Sequence, residues 1–285
     1  MSAAVGARSA QTSPPSPLST LWRGGAEGGG EVRSVVIKLG GAALPHKEAA
    51  LQDLRDLRGA GFQPVLVHGG GPVISEWLGR IGKEAVFVNG LRQTDAETLT
   101  VAIMALAGKV NKELVAELQL HGMPAVGLCG VDGAFIRAHR QTEPDIGFVG
   151  AVDEIDPTLL RALGEAGYIP VIAPIALGSE GALNINADTV AGDIARAIDA
   201  AALVFLTDVP GVKDRAGNVL PALDRAQAEA LRQDGTISGG MIPKVEACLR
   251  CLDRVPRASI VDGAVPHALV KHLIKGEPLG TVFSA

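Results

Sequence analysis

From Val32 onward, short β-branched apolar runs alternate with stretches in which apolar residues recur at helical spacing. The runs Val35–Leu39, Pro64–Val67, Pro124–Leu128, Ile169–Ala173, Ala202–Thr207 and Ala258–Val261 are apolar at successive positions. Such runs need cover on both faces and predict buried strands. Helical patterns lie between them at Lys47–Arg58, Pro72–Ile81, Ala96–Leu120, Asp188–Asp199, Asp224–Gln233 and Pro243–Asp253. The alternation predicts an α/β fold, a three-layer αβα sandwich around a mainly parallel central sheet. More polar, hairpin-like pieces at Glu84–Asn89, Ala134–Val152 and Leu177–Ile185 interrupt the rhythm and predict a rim around a cleft. No period of 20–50 residues repeats, which argues against a solenoid.

Residues 1–31 stand apart. They are dominated by Gly, Ala, Ser, Thr and Pro, too little apolar surface to offset the entropy of ordering, so a disordered arm is expected. A short turn around Leu18–Trp22 is the one ordered feature the arm could hold. It lacks the charged and apolar regions of a secretory signal. The remainder, 32–285, is expected to be one domain of two lobes, about 32–186 and 187–285.

Composition narrows the class. Of the 285 residues, 47% are hydrophobic and 20% charged, an ordinary soluble balance. No apolar run reaches the ~18 residues a membrane span requires. A net charge of −5 gives no sign of the clustered Lys and Arg of a nucleic-acid binder. Local cations can still serve an anionic substrate. The three cysteines, Cys129, Cys248 and Cys251, are too few and odd in number for a disulfide framework and fit a reducing, cytoplasmic setting. Cys248 and Cys251 form a CxxC inside the helical EACLRCLDRV with no second ligand pair. They read as two small buried helix residues rather than a zinc or redox site.

In an open α/β sheet ligands bind beyond the carboxyl ends of the strands. The first strand ends in VVIKLGGAAL, with Lys38 near the mouth and Gly40–Gly41 in the turn. The second ends in VLVHGGGPVI, where three glycines precede Pro72 at a first helical position. Glycines there let backbone N–H groups approach an anion, and a helix N-terminus adds a favourable field. Either loop alone could be a chain reversal only; two at one sheet edge point to phosphate. Neither is a Walker A loop or a dinucleotide GxGxxG, and the HRD and DFG elements of protein kinases are missing.

The segments VVIKLGG, LVHGGGP, NGLRQTDAET, GKVNKEL, GYIPVIAPI, NINADTVAGDIA, LTDVPGV and ISGGMIPKVEA occur in the order found in the amino acid kinase family. They resemble its branch that phosphorylates N-acetyl-L-glutamate. The resemblance runs from about Val32 to Thr281. It implies ATP-dependent transfer of a phosphoryl group to the γ-carboxylate of N-acetyl-L-glutamate, in arginine biosynthesis, by a cytoplasmic homodimer. By the same resemblance Lys38, Asp188 and Lys244 are catalytic, the aspartate orienting the two lysines. Gly70, Gly71, Arg92, Asn184 and Asn186 would bind substrate, with Arg92 on the α-carboxylate. Lys38, Gly40, Gly41, Asp208, Gly211, Lys213, Ser238 and Lys244 would hold the nucleotide. Mg2+ is expected with ATP, held by phosphates and water, with no protein metal ligand; neither nucleic acid nor membrane is an expected partner.

The chemistry implied is coherent. A γ-carboxylate with a pKa of about 4.3 is ionised at neutral pH, so no general base is needed. Two lysines and backbone donors answer the repulsion between carboxylate and phosphate, and an arginine grips a carboxylate bidentately. Taken singly, Lys38 could be a solvated strand-end lysine, Arg92 a surface ion-pair partner and Asp188 a helix cap. His68, beside the glycines, reads as a structural hydrogen-bonding group. Alternatives are a kinase for acetylated or carrier-bound aminoadipate in lysine biosynthesis, or a non-catalytic nucleotide- or amino-acid-sensing module; the NGLR and NINAD segments favour glutamate. Arginine-inhibited members of the family carry an amphipathic N-terminal helix. Here that segment is AEGGGEVR, and its glycines disfavour helix by about 1 kcal/mol each. The C-terminal LIKGEPLGTVFSA also lacks the arginine-site signature, so insensitivity to arginine is expected.

Overall fold

A computed structural model describes residues 33–40 and 47–284. The N-terminal arm, its possible turn and Gly41 lie outside the described residues. In chain order the strands are β1 (Arg33–Leu39), β2 (Phe62–His68), β3 (Phe87–Val88), β4 (Leu91–Arg92), β5 (Ala125–Cys129), β6 (Ile136–Thr142) and β7 (Asp145–Ile155). They continue with β8 (Ile169–Ala173), β9 (Ile175–Gly178), β10 (Gly181–Asn184), β11 (Ala202–Thr207), β12 (Ala222–Leu223), β13 (Ala258–Asp262) and β14 (Thr281–Phe283). The central sheet has the order β12-β14-β13-β11-β1-β2-β8-β5. Its six inner and far strands run parallel, as the apolar runs require; β14 is antiparallel to β13 and carries β12 with it.

The helices are α1 (Lys47–Gly59), α2 (Gly71–Arg80), α3 (Ala96–Ile103), α4 (Asn111–Leu120), α5 (Thr158–Glu165), α6 (Ala187–Ala197), α7 (Arg225–Gln233) and α8 (Met241–Cys251). Alternation along β1 divides the core. Val35, Ile37 and Leu39 join Leu54 and Leu57 of α1 and Leu114 and Leu118 of α4 in one layer. Val36 joins Val190 and Ile194 of α6 and Val245 and Cys248 of α8 in the other. Side chains two apart share a strand face, so Lys38 projects on the α6–α8 side with Val36.

Two departures from the sequence pattern stand out. The helix expected over Ala96–Leu120 is one rod, but its middle, Met104–Val110, is π-helical. Helix α5 was not foreseen, although Pro157 and the run of leucines after it are helix-start signals; the Asp156 side chain accepts from the Thr158 N–H at 2.9 Å. The three polar pieces do form hairpins. β3 pairs with β4, and β6, β7, β9 and β10 close a small four-stranded sheet.

Candidate active site

The chain leaves β1 for β2 on one side and returns in β11 on the other. A sheet that switches direction in this way opens a crevice at the carboxyl ends of its strands. Lys38 is the penultimate residue of β1. Facing it is the first turn of α6, whose N-cap is Asn186: its side-chain oxygen accepts from the N–H groups of Asp188 (2.8 Å) and Thr189 (3.1 Å). The cap role open to Asp188 in the sequence thus falls to Asn186, and the aspartate side chain is free to turn toward the sheet.

Both of its oxygens meet a lysine. Lys38 Nζ lies 2.7 Å from Oδ1, and Lys244 Nζ, from the first turn of α8, lies 2.8 Å from Oδ2. Lys38 is 7% and Asp188 5% exposed, so these charges act through little water. Burial drives the Lys38 pKa below the ordinary lysine value, partly offset by the Asp188 charge, while Lys244 adds to the fall. Burial works to raise the Asp188 carboxyl, but the two ammonium groups outweigh it and hold the carboxyl below its usual range. The aspartate is therefore an anion and the hinge between two cations.

The second wall is the glycine turn. β2 ends at His68, Gly70 is the N-cap of α2, and Pro72 stands in its first turn. The first N–H groups of a helix have no acceptor within it and lie at the positive end of its dipole. The third wall is the β3–β4 hairpin. Arg92 donates from Nη2 to Gly71 O and Ser75 Oγ, both at 2.9 Å, and its guanidinium carbon lies 4.7 Å from the Phe87 ring centre. Its other terminal nitrogen, Nη1, is buried and has no hydrogen-bond partner. Asn184 closes the far side and donates to Thr94 Oγ1 (3.1 Å), which in turn donates to Arg92 O (2.7 Å).

Lys38, Gly70, Gly71, Arg92, Asn184, Asn186 and Asp188 thus line one cleft of about 230 Å³, a size for a small polar molecule rather than a whole nucleotide. The remaining residues singled out in the sequence do not line it. Gly40 donates its N–H to Leu206 O at 2.9 Å; Asp208 is exposed just past β11, near enough for its charge to act on Lys38. Lys213 and Ser238 are exposed, Gly211 is buried against Thr281, and Lys244 reaches the cleft through Asp188. Sequence reasoning missed Ser75, Thr94 and Phe87. Thr94 lies within the NGLRQTDAET segment, whereas nothing local marks Ser75 or Phe87.

Among the described residues no group of three His, Cys, Asp or Glu side chains is arranged to hold a metal ion, and no helix is long and apolar enough to cross a membrane. His68 is fully buried and its imidazole is pushed down to about 4, first by burial and then by the nearby lysines. It is neutral at working pH. Cys248 and Cys251 are buried, Cys251 Sγ donating to Cys248 O at 3.2 Å.

Two lysines tied to one buried aspartate, beside a helix N-terminus and an arginine with an unused donor, define an α/β protein equipped to bring anions together. The family model described as "Amino acid kinase family" matches residues 33–262, and the chain belongs to that family. It is 45% identical to the acetylglutamate kinase of Synechococcus elongatus, covering 88% of this chain and 86% of that one. To the acetylglutamate kinase of Acidiphilium cryptum it is 46% identical, covering 88% and 90%. Among solved structures, smu.665 of Streptococcus mutans superposes with a TM-score of 0.78 at 29% identity, over 88% of this chain and 98% of that chain.

Proposed function

We propose that this chain transfers the γ-phosphoryl group of ATP to the γ-carboxylate of N-acetyl-L-glutamate, a step of arginine biosynthesis. The observation that carries this reading is the pairing, in one small cleft, of Arg92 and its unpartnered Nη1 with Lys38 and Asp188, the aspartate being tied from behind to Lys244. Arg92, with Nη2 committed to Gly71 and Ser75, offers Nη1 to the α-carboxylate of the amino acid. Asn184 and Asn186 line the same wall, suited to the amide and the remaining oxygens. The γ-carboxylate then extends toward Lys38 and the glycine loop.

No proton has to be removed from the nucleophile, because a carboxylate of ordinary pKa is already ionised. The barrier is electrostatic and positional. In phosphoryl transfer the charge spreads over the transferring group, and fixed cations and N–H donors stabilise it. Lys38 serves the transferring group and Lys244 the nucleotide side, with Asp188 fixing the distance between them. The Gly70 and Gly71 amides serve phosphoryl oxygens without side-chain bulk. Gly40, Gly41, Asp208, Gly211, Lys213 and Ser238 belong in this reading to the nucleotide half of the crevice. Mg2+ travels on the phosphates and water, while the Asp188 oxygens serve the two lysines. In this reading the enzyme works as a cytoplasmic homodimer, as the resemblance to the family implies.

The test is a coupled assay of ADP release with N-acetyl-L-glutamate beside N-acetyl-aminoadipate. One methylene separates the amino-acid parts, typically about 1–3 kcal/mol of discrimination, so a preference of roughly 10–200-fold for the glutamate compound is expected. Equal or reversed preference would overturn the substrate assignment, and no ADP release with either would overturn the kinase reading. Light scattering at the mass of a monomer would remove the dimer.

A further inference from the structure

His68 and Asn111 are fully buried polar side chains that the chemistry above does not use. His68 closes β2 immediately before the glycine turn and, with Leu66, faces the sheet side opposite Lys38. Asn111 opens α4. Its Nδ2 donates to Val171 O at 2.9 Å and lies 3.2 Å from His68 Nε2. Its Oδ1 accepts from Lys112 Nζ at 3.1 Å, which fixes the orientation of the amide. With Nε2 as acceptor, the neutral imidazole carries its proton on Nδ1 and donates it to Gly69 O at 2.8 Å.

That carbonyl is one end of the Gly69–Gly70 peptide. A trans peptide is planar, and its C=O and N–H point in opposite directions. Drawing the Gly69 carbonyl toward His68 therefore turns the Gly70 N–H away from it, toward the side where Gly70 lines the cleft. Glycine has no side chain to hold this orientation, so an outside contact must.

The π-helical stretch brings that contact into position. Leu106 abuts Gly70, since a Cβ there would stand 2.5 Å from Leu106 Cδ2. Asn111 follows five residues later, and its backbone N–H bonds to Leu106 O. Five residues of α-helix turn roughly 500°, leaving the two side chains about 140° apart. An i→i+5 bond stacks them on one side instead. A second adjustment sits on β5: at Gly127 a Cβ would lie 1.9 Å from Asn111 Oδ1 and 2.8 Å from Lys112 Nζ. Only a residue without a side chain leaves Asn111 its place.

We infer that Asn111 and His68 are positioning residues for the Gly69–Gly71 turn, holding the Gly70 N–H toward the phosphoryl oxygens as charge develops there. The inference rests on the phosphoryl-transfer reading of the cleft. It is tested on the full chain with His68→Leu, His68→Asn and Asn111→Leu, each checked for folding by thermal melting. Asparagine can present a side-chain N–H near the position of Nδ1, and leucine cannot. Misdirecting one donor at a transition state costs about 10²-fold. His68→Leu and Asn111→Leu should lose about that much in kcat, with far smaller changes in the KM of N-acetyl-L-glutamate. His68→Asn should recover most of the loss. A folded His68→Leu or Asn111→Leu enzyme with wild-type kcat overturns the inference. So does a His68→Asn variant impaired as deeply as His68→Leu, which would make the site a packing position. Lack of wild-type turnover would refute the kinase reading itself and is seen before any variant is made.

Discussion

Replacing Asp188 with asparagine removes one charge and keeps the shape. In the wild type that charge is shared by ammonium groups at 2.7 and 2.8 Å in a site where Asp188 is 5% exposed. Asn186 supplies the cap of α6, so the helix keeps its start. The carboxamide can accept from one lysine only, and turns an NH2 toward the other. Loss of a preorganised electrostatic element of this kind costs about 2.7–4 kcal/mol, or about 10²–10³ in kcat. Stability falls too: an uncompensated buried charge costs about 3–5 kcal/mol, an upper bound here because Lys38 can shed its proton. That escape leaves a signature. Lys38 acts as a cation, its pKa is already held down by burial, and Asp188 is the chief influence pulling it back up. Without Asp188 the pKa falls further, so activity in the variant disappears with rising pH sooner than in the wild type. Steady-state kcat across the neutral-to-alkaline range, on protein shown to be folded by its melting curve, measures both effects. Wild-type kcat with an unshifted alkaline limb would refute the reasoning.

The other expectations are simpler. Arg92→Lys leaves one nitrogen where Nη2 serves Gly71 and Ser75 and Nη1 is free for the substrate, and a charged hydrogen bond is worth about 1.5–3 kcal/mol. The KM for N-acetyl-L-glutamate should rise roughly 10–100-fold while nucleotide affinity, read by calorimetry, stays put; an unchanged KM removes Arg92 from the site. Gly70→Ala drives a methyl against Leu106, a flexible side chain, and overpacking of this kind costs about 1–3 kcal/mol; differential scanning calorimetry should report the lower Tm, and a Tm at or above wild type would show that the loop has slack. Deleting residues 1–30 should leave kcat unchanged, and millimolar arginine should not inhibit the full chain. Inhibition that vanishes on deletion would give the arm a regulatory role.

The buried strands were legible because a strand covered on both faces must be apolar throughout. Ile169–Ala173 and Ala202–Thr207 end where the apolar runs end. β12 and β14, two and three residues long, are too short to carry a period and are defined by their neighbours. The π-helical stretch was hidden for a different reason: MALAGKV is apolar or small almost all the way round, so its pattern does not distinguish one helical pitch from another. In the candidate site, residue types marked by chemistry could be picked out, and Lys38, Arg92, Asn184 and Asp188 do line one cleft. Contacts set by packing between distant segments could not. Ser75 meets Arg92, and Thr94 meets Asn184, only after the hairpin folds over α2 and β10.

The two cysteines of α8 have a practical consequence. Cys248 lies one helical turn beyond Lys244, and burial lifts its thiol well above the usual range; Cys251 is pushed up to about 12. Only thiolates react quickly with alkylating reagents, so both are protected for as long as the layer carrying Lys244 remains closed. Cys129, half-buried on the opposite edge strand, reports a separate exposure. The protein therefore contains its own clock for opening: the slow phase of thiol labelling times how often the layer that carries Lys244 comes apart, with no cysteine introduced.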